Sequence, residues 1–243
     1  MGKLFHRLLY RLLSLEEYLR VVSRLFFLNR WLGLGRTGRA LEYNYHLPQL
    51  VRRGDVAIDI GANLGYYTRP LADIVGNEGE VYAVEPVPVI FSVLERNVRG
   101  CSNVHLLNFA LGKEECDVEM ANDSVAEVGY FGTGRNFVSE GALSKSAVRF
   151  TAQMKRGSDL FGGLERIDFI KCDIEGYERV VMPELRPLIE RHHPTVLIET
   201  DGDTRHEIIE MFSEMGYRAY MLESGREVAL DADSDKDIIF RFE

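Results

Sequence analysis

The sequence predicts an α/β fold built on a mostly parallel, seven-stranded sheet with an antiparallel edge strand, preceded by a basic helical arm. Three observations carry that expectation. From Val56 onward, short β-branched runs alternate with stretches of helical spacing. The first of those runs ends on a glycine-rich turn, Gly61-Ala62-Asn63-Leu64-Gly65. The last two runs are joined only by a polar turn region, the mark of an antiparallel pair. With 243 residues, 46% hydrophobic and 28% charged, the chain has the composition of an ordinary globular protein, which excludes disorder and fibrous folds. Its length suits one α/β domain over residues 54–243 plus an appendage over residues 1–53. The cysteines Cys101, Cys116 and Cys172 lie far apart and form no Cys-x-x-Cys pair, so no disulfide framework or zinc knuckle is expected and a reducing, cytoplasmic compartment is.

The appendage is basic. Residues 1–53 hold ten Lys/Arg, Arg36 and Arg39 among them, against Glu16, Glu17 and Glu42, a balance of +7 in a chain of net −9. The remainder therefore carries −16. A body that acidic excludes duplex nucleic acid as a general partner. Leu4, Leu8, Leu12, Leu15, Leu19, Val22 and Phe26 fall on one stripe of an α-helix, with Lys3, Arg7 and Arg11 in a parallel cationic row. Arginines interrupt every apolar stretch, which excludes a signal peptide and a membrane-spanning helix. Two readings stand for the stripe: packing on the body or on a second copy, and peripheral contact with an anionic membrane surface. Gly33 to Gly38 reads as a loop after the arm, so removal of residues 1–30 is expected to leave a folded body.

In the body, Val56–Ile60 reads as a strand, Tyr66–Val75 as a helix, Glu80–Val84 as a second strand ending at Glu85, and Val89–Val98 as a second helix. Strands over Val104–Phe109, Ile167–Cys172 and Thr195–Glu199 follow. A helix over Gly176–Arg191 is expected to split or kink at Pro183 and Pro187. A helix over His206–Met215 and strands over Arg218–Leu222 and Asp237–Phe242 close the chain. Residues 123–150, with Gly129, Gly132, Gly134 and Gly141 amid Tyr130, Phe131 and Phe137, read as an irregular insertion serving as an acceptor lid, or as a plain hairpin.

A βαβ unit of this kind places a ligand at the carboxyl ends of its strands. The turn lacks the Gly-x-Gly-x-x-Gly spacing of dinucleotide binders, and no phosphate-binding P-loop is present. Asp59, immediately before the turn, would repel a pyrophosphate but accept hydrogen bonds from an ammonium group. Glu85, 20 residues after Gly65, suits ribose hydroxyls. Together they favour S-adenosylmethionine, which carries an amino group and a sulfonium and no phosphate.

Residues 56–68 (Val-Ala-Ile-Asp-Ile-Gly-Ala-Asn-Leu-Gly-Tyr-Tyr-Thr), 81–86 (Val-Tyr-Ala-Val-Glu-Pro), Asn108-Phe109-Ala110-Leu111-Gly112, 168–178 (Asp-Phe-Ile-Lys-Cys-Asp-Ile-Glu-Gly-Tyr-Glu) and 194–199 together resemble the FkbM family of S-adenosylmethionine-dependent methyltransferases. The resemblance spans about residues 54–200, and its most diagnostic piece is Lys-x-Asp-x-Glu-Gly-x-Glu at 171–178. It implies a class I, Rossmann-like methyltransferase fold and, typically, O-methylation of a hydroxyl on a sugar, glycan or other small natural-product acceptor. By position it implies that Asp59, Gly61, Ala62, Asn63 and Gly65 hold the methionine end of S-adenosyl-L-methionine, Glu85 the ribose, and Asn108 with Ala110 the surroundings of the adenine. Residues 113–163 depart from the family pattern, with Met154–Leu160 where a Leu-Asp-x-Leu-like segment is usual.

Methyl transfer from a sulfonium is an in-line displacement, so alignment supplies most of the catalysis and a base takes the hydroxyl proton. Asp173, at the end of the fourth strand, is the candidate contact to the acceptor or to the donor's amino group, Glu175 the candidate base, and Lys171 an orienting cation. Glu175 has a plainer alternative, an acid favouring the start of the next helix. Asp173, Glu175, Glu199 and Asp201 offer oxygen ligands, but their spacing carries no metal signature and none is expected. His46, His105, His192 and His193 have no motif around them and read as surface residues. Tyr66 and Tyr67 would line the donor pocket or fill core.

Overall fold

A computed structural model describes residues 2–35, 41–139, 147–200, 202–231 and 234–243. Arg36, Gly38, Arg39, Gly141 and Asp201, named above, lie outside the described residues. The arm comprises two helices rather than one, α1 (Lys3–Leu12) and α2 (Leu15–Trp31). The break has a local cause. Ser14 caps α2: its hydroxyl accepts from the Glu17 N–H, and the Glu17 carboxylate accepts from the Ser14 N–H at 2.9 Å. This Ser-x-x-Glu box interrupts the apolar stripe that reads as continuous in sequence.

After α3 (Glu42–Leu50) the chain alternates as expected through β1 (Val56–Ile60), α4 (Thr68–Val75), β2 (Glu80–Val84), α5 (Pro88–Val98) and β3 (Val104–Leu107). The region after β3, of which residues 123–150 read as an irregular insertion, forms among its described residues β4 (Ala110–Leu111), β5 (Cys116–Asn122), α6 (Ser124–Val128), β6 (Asn136–Val138), β7 (Val148–Lys155) and α7 (Gly157–Phe161). Its strands form a second, four-stranded sheet in the order β4-β7-β5-β6. The chain then runs through β8 (Phe169–Cys172), α8 (Glu178–His192), β9 (Thr195–Ile198), α9 (Gly202–Glu214), β10 (Tyr217–Glu223), β11 (Arg226–Ala229) and β12 (Ile238–Phe242).

The main sheet has eight strands, not seven, in the order β11-β10-β12-β9-β8-β1-β2-β3. Its β3-β2-β1-β8-β9 half is parallel. The antiparallel β12 is not an edge strand: it inserts between β9 and β10. The extra strand comes from a hairpin whose two loop residues, Ser224 and Gly225, both have positive φ, matching the right-handed twist of the paired strands. Helix α8 passes Pro183 and Pro187 unbroken. Arg179, Pro183 and Pro187 all face solvent, so the carbonyls left without a partner reach water, while Val181, Met182, Leu185, Leu188 and Ile189 hold the opposite face in the core.

The sheet is buried on both faces. Ile58, Ile60, Ile170 and Cys172 face α8 and α9, whereas Ala57, Val81 and Phe169 face α3 and α4. The arm belongs to a third core. Tyr18 and Leu19 of α2 are sealed against Val87, Ile90 and Val93 near α5 and against Met120, Phe131 and Ala152 of the small-sheet region. His6 stacks on Tyr130 at 4.9 Å, and Arg7 Nε donates to the Val128 carbonyl at 2.7 Å. Removing residues 1–30 would therefore strip a core, contrary to the expectation of a dispensable appendage. On the opposite side of α1, Leu4, Leu8 and Leu12 are 80%, 55% and 71% exposed. The described residues include no helix long and apolar enough to cross a membrane.

Candidate functional site

The site forms where β1, β2, β8 and β9 end. Gly61, Asn63 and Gly65 all take positive φ, which lets the chain reverse within five residues before α4. Gly61 has a second reason to be glycine: a Cβ there would lie 1.9 Å from the Asp173 carbonyl oxygen. The N–H groups of Gly61 and Ala62 both donate to the Val84 carbonyl, tying the turn to β2. Asn63 tolerates the left-handed conformation with its side-chain oxygen accepting from the Leu64 N–H at 2.8 Å.

A cleft opens above this turn, lined by Gly61, Asn63, Glu85, Ala110, Asp173 and Glu175 among the sequence-predicted residues. Phe109, Leu111, Met120, Val138 and Tyr177 give it apolar walls. Glu85 is buried beneath it, its carboxylate accepting from the Asn63 N–H at 3.0 Å and the Val87 N–H at 2.9 Å. Burial pushes its carboxyl up to about 7. These residues fit S-adenosyl-L-methionine: a glycine cradle with no room for a side chain at Gly61, a carboxylate after β2 with acceptor capacity left over for ribose hydroxyls, and apolar walls for a purine.

The other predicted residues stand behind that surface. Asp59 is fully buried and does not reach the cleft; its carboxylate accepts from the Thr68 hydroxyl at 2.6 Å and stands 3.7 Å from Lys171 Nζ. Ala62 packs beside Ala83, Leu94 and Val98, and a Cβ at Gly65 would press on Leu94. The Asn108 amide donates to the carbonyls of Glu85 and Pro86 and so shapes the loop after β2.

Lys171 is the pin of the arrangement. In register with Asp59 across β8 and β1, it donates to the Gly61 carbonyl at 3.0 Å and the Asp173 carboxylate at 3.2 Å. Burial opposes its charge, but Asp173 and Asp59 outweigh burial and hold the ammonium above its ordinary value. The next turn is fastened by Glu178, which is buried and accepts from the Ile174 N–H at 2.8 Å, leaving Glu175 and Gly176 at positive φ. Glu175 thereby projects toward the small sheet, 3.4 Å from where a Cβ on Gly134 would be.

Asp173 also lines a second cavity, with Phe26, Tyr43, Tyr66, Tyr67, Glu199 and Asp237. Tyr66 and Tyr67 thus belong to this cavity and not to the donor cleft, and the arm contributes Phe26, whose ring lies 4.0 Å from that of Tyr66. Glu199 is pushed up to about 8, first by the negative charge of Asp173, then by burial, Asp237 and Glu175, against the pull of Lys171. Asp237 is pushed up to about 6, mainly by burial and Asp173. Of the aromatics expected in the lid, Phe131 is core, Tyr130 is half-buried and stacks on His6 of the arm, and Phe137 is half-buried. His46 is not a surface residue; it is buried and pairs with Glu227 at 2.9 Å. Among the described residues, which leave out Asp201, no three His, Cys, Asp or Glu side chains stand together as a metal-binding group.

A glycine turn after β1, a buried acid after β2 and a parallel sheet extended by an inserted antiparallel strand define a class I S-adenosylmethionine-dependent methyltransferase fold. The methyltransferase FkbM domain model matches residues 59–219, more than half of the chain, and the chain belongs to that family. The crystal structure of methyltransferase FkbM from Methylobacillus flagellatus KT shares the fold with a TM-score of 0.52 and 14% identity, over 80% of this chain and 45% of that one. Aeropyrum pernix fibrillarin, in complex with natively bound S-adenosyl-L-methionine, aligns at a TM-score of 0.46 and 17% identity over 79% of this chain and 68% of its own. A protein-L-isoaspartate O-methyltransferase from Ignicoccus hospitalis is 34% identical over 81 residues, 31% of this chain, and the match spans only 38% of that relative's length.

Proposed function

We propose that this chain is an O-methyltransferase acting on a hydroxyl of a sugar, glycan or other small natural-product acceptor, and that it works in the cytoplasm. The observation that carries the reading is that Asp173 lines both cavities, so a donor above Gly61 and an acceptor against Tyr66 and Tyr67 would meet at one carboxylate. Phe26, Tyr66 and Tyr67 offer faces on which a sugar ring can stack. Asp173, Glu199 and Asp237 offer oxygens that accept hydrogen bonds from hydroxyls.

Bound S-adenosyl-L-methionine supplies an electrophilic methyl group. Gly61, Asn63 and Glu85 hold and orient it, and the Phe109, Leu111 and Val138 walls exclude water. Asp173 orients the acceptor hydroxyl. Glu199, on the acceptor side and with raised proton affinity, takes the hydroxyl proton; Glu175, on the donor side, is the second candidate for that role. The test is tritiated-methyl transfer to a panel of neutral glycosides and other hydroxylated compounds. Labelled ether products are expected, and transfer confined to nitrogen or carboxylate acceptors would overturn the reading.

A further inference from the structure

A third cleft lies between α2 and the helices α4 and α5, and its lining reverses the charge of the body. Arg20, Arg24, Arg30, Arg69 and Arg96 converge there, with Asp73 as the one acid. Arg30 donates to the Asn44 side chain at 2.6 Å and lies over the Tyr45 ring, and Arg69 donates to the Asn97 carbonyl at 2.8 Å. These partners are neutral, so they fix the guanidinium groups without cancelling their charge. Arg20 pairs with Glu16, one turn back on α2, but its Nε is buried with no hydrogen-bond partner. Arg24 and Arg96 have no carboxylate partner among the described residues. Like charges held together in a concave site concentrate a positive field, and planar guanidinium forks match phosphate oxygens two at a time.

The cleft adjoins the acceptor cavity. Phe27 lines one and Phe26 the other, their rings 5.4 Å apart, and Asn44, which receives Arg30, lines the acceptor cavity and donates to the Tyr66 carbonyl. Trp31, 80% exposed, stands at the rim as an apolar platform.

We propose that this arginine-lined cleft binds a phosphate group, carried either by a soluble ligand or by a lipid headgroup. The placement beside the second cavity makes phosphorylated hydroxyl compounds the acceptor class it would select; that link rests on the methyl-transfer reading, whereas phosphate binding itself does not.

The test uses the full chain and two probes: pyrophosphate by calorimetry, and vesicles of phosphatidylcholine with or without phosphatidic acid by flotation. Arg24→Gln combined with Arg96→Gln is the informative variant, because both side chains are exposed and removing them opens no core. Saturable pyrophosphate binding that falls about tenfold or more in the variant supports the site with a soluble source. Flotation that requires phosphatidic acid and is lost in the variant supports it with a headgroup source. S-adenosylhomocysteine affinity should be unchanged in either case. Absence of binding to both probes, or binding the variant retains in full, overturns the proposal. If pyrophosphate binds as expected while no hydroxyl acceptor is methylated, the acceptor reading fails and the phosphate site stands.

Discussion

The carbonyl oxygen of Asp173 fills the space that a Cβ on Gly61 would need, leaving 1.9 Å between them. The end of β8 therefore closes directly on the turn after β1, and Lys171 fastens the contact by bonding both residues.

Gly61→Ala should consequently fail as a donor site and as a fold element. Positive φ alone costs a non-glycine residue about 1–3 kcal/mol, and the collision with backbone adds to it. Thermal melting with and without S-adenosylhomocysteine checks this: a wild-type melting temperature and a wild-type ligand shift would contradict the close approach.

Glu85 gives cofactor binding a pH dependence. Its folded value of about 7 lies above the ordinary carboxyl value, so its contribution to stability is present at acid pH and is lost as pH rises through about 7. Ribose hydroxyls donate to the ionised form, so S-adenosylhomocysteine affinity should rise from pH 6 to pH 8 with release of a proton on binding. Calorimetry in buffers of different ionisation enthalpy measures that proton. Glu85→Gln should weaken binding by about 1–3 kcal/mol and flatten the profile.

The proton acceptor is tested by kinetics. Glu199, surrounded by Asp173, Asp237, Glu175 and Lys171, acts in its ionised form, so kcat/KM should climb with pH toward a limb near 8. Glu199→Gln should lower the rate by about 10²- to 10⁴-fold and remove that limb while sparing S-adenosylhomocysteine affinity. The same loss in Glu175→Gln, with Glu199→Gln fully active, would transfer the role to the donor side.

The arm has a structural face and a free face. Leu19→Ala should cost about 2–5 kcal/mol, because Leu19 is sealed between α5 and the small sheet. Ser14→Ala should cost about 1 kcal/mol through the lost cap. Serine at Leu4, Leu8 and Leu12 together should change stability by no more than about 0.5 kcal/mol per site. Chemical unfolding of the three variants separates these magnitudes, and sedimentation and flotation of the serine variant show whether a second copy or an anionic surface covers the exposed stripe.

Strands at Val56–Ile60 and Glu80–Val84, the glycine turn and the acid after β2 were legible because each is a local pattern. What escaped depends on pairing at a distance or on a single capping residue. β12 inserts beside β9 by long-range registry, the Ser224-Gly225 hairpin adds a strand through two residues, and Ser14 divides a stripe whose spacing is continuous. In the site, the chemistry of a carboxylate just before the glycine turn and the family resemblance bring Asp59 forward as a ligand, whereas its side chain is buried beside Thr68 and Lys171, contacts that no local pattern announces. Phe26 and Asp237 escaped because nothing local marks residues that meet the site only through tertiary contact.

The clamp built from Lys171, Asp173, Gly61 and Glu178 does its work without any side chain of the small sheet or the arm. Selection for a new acceptor can therefore act on Phe26, Tyr66 or Tyr67 while residues 171–178 stay as they are. In such a lineage the stretch that most readily announces kinship is also the stretch least informative about diet, and descendants that modify different molecules would keep the same signature.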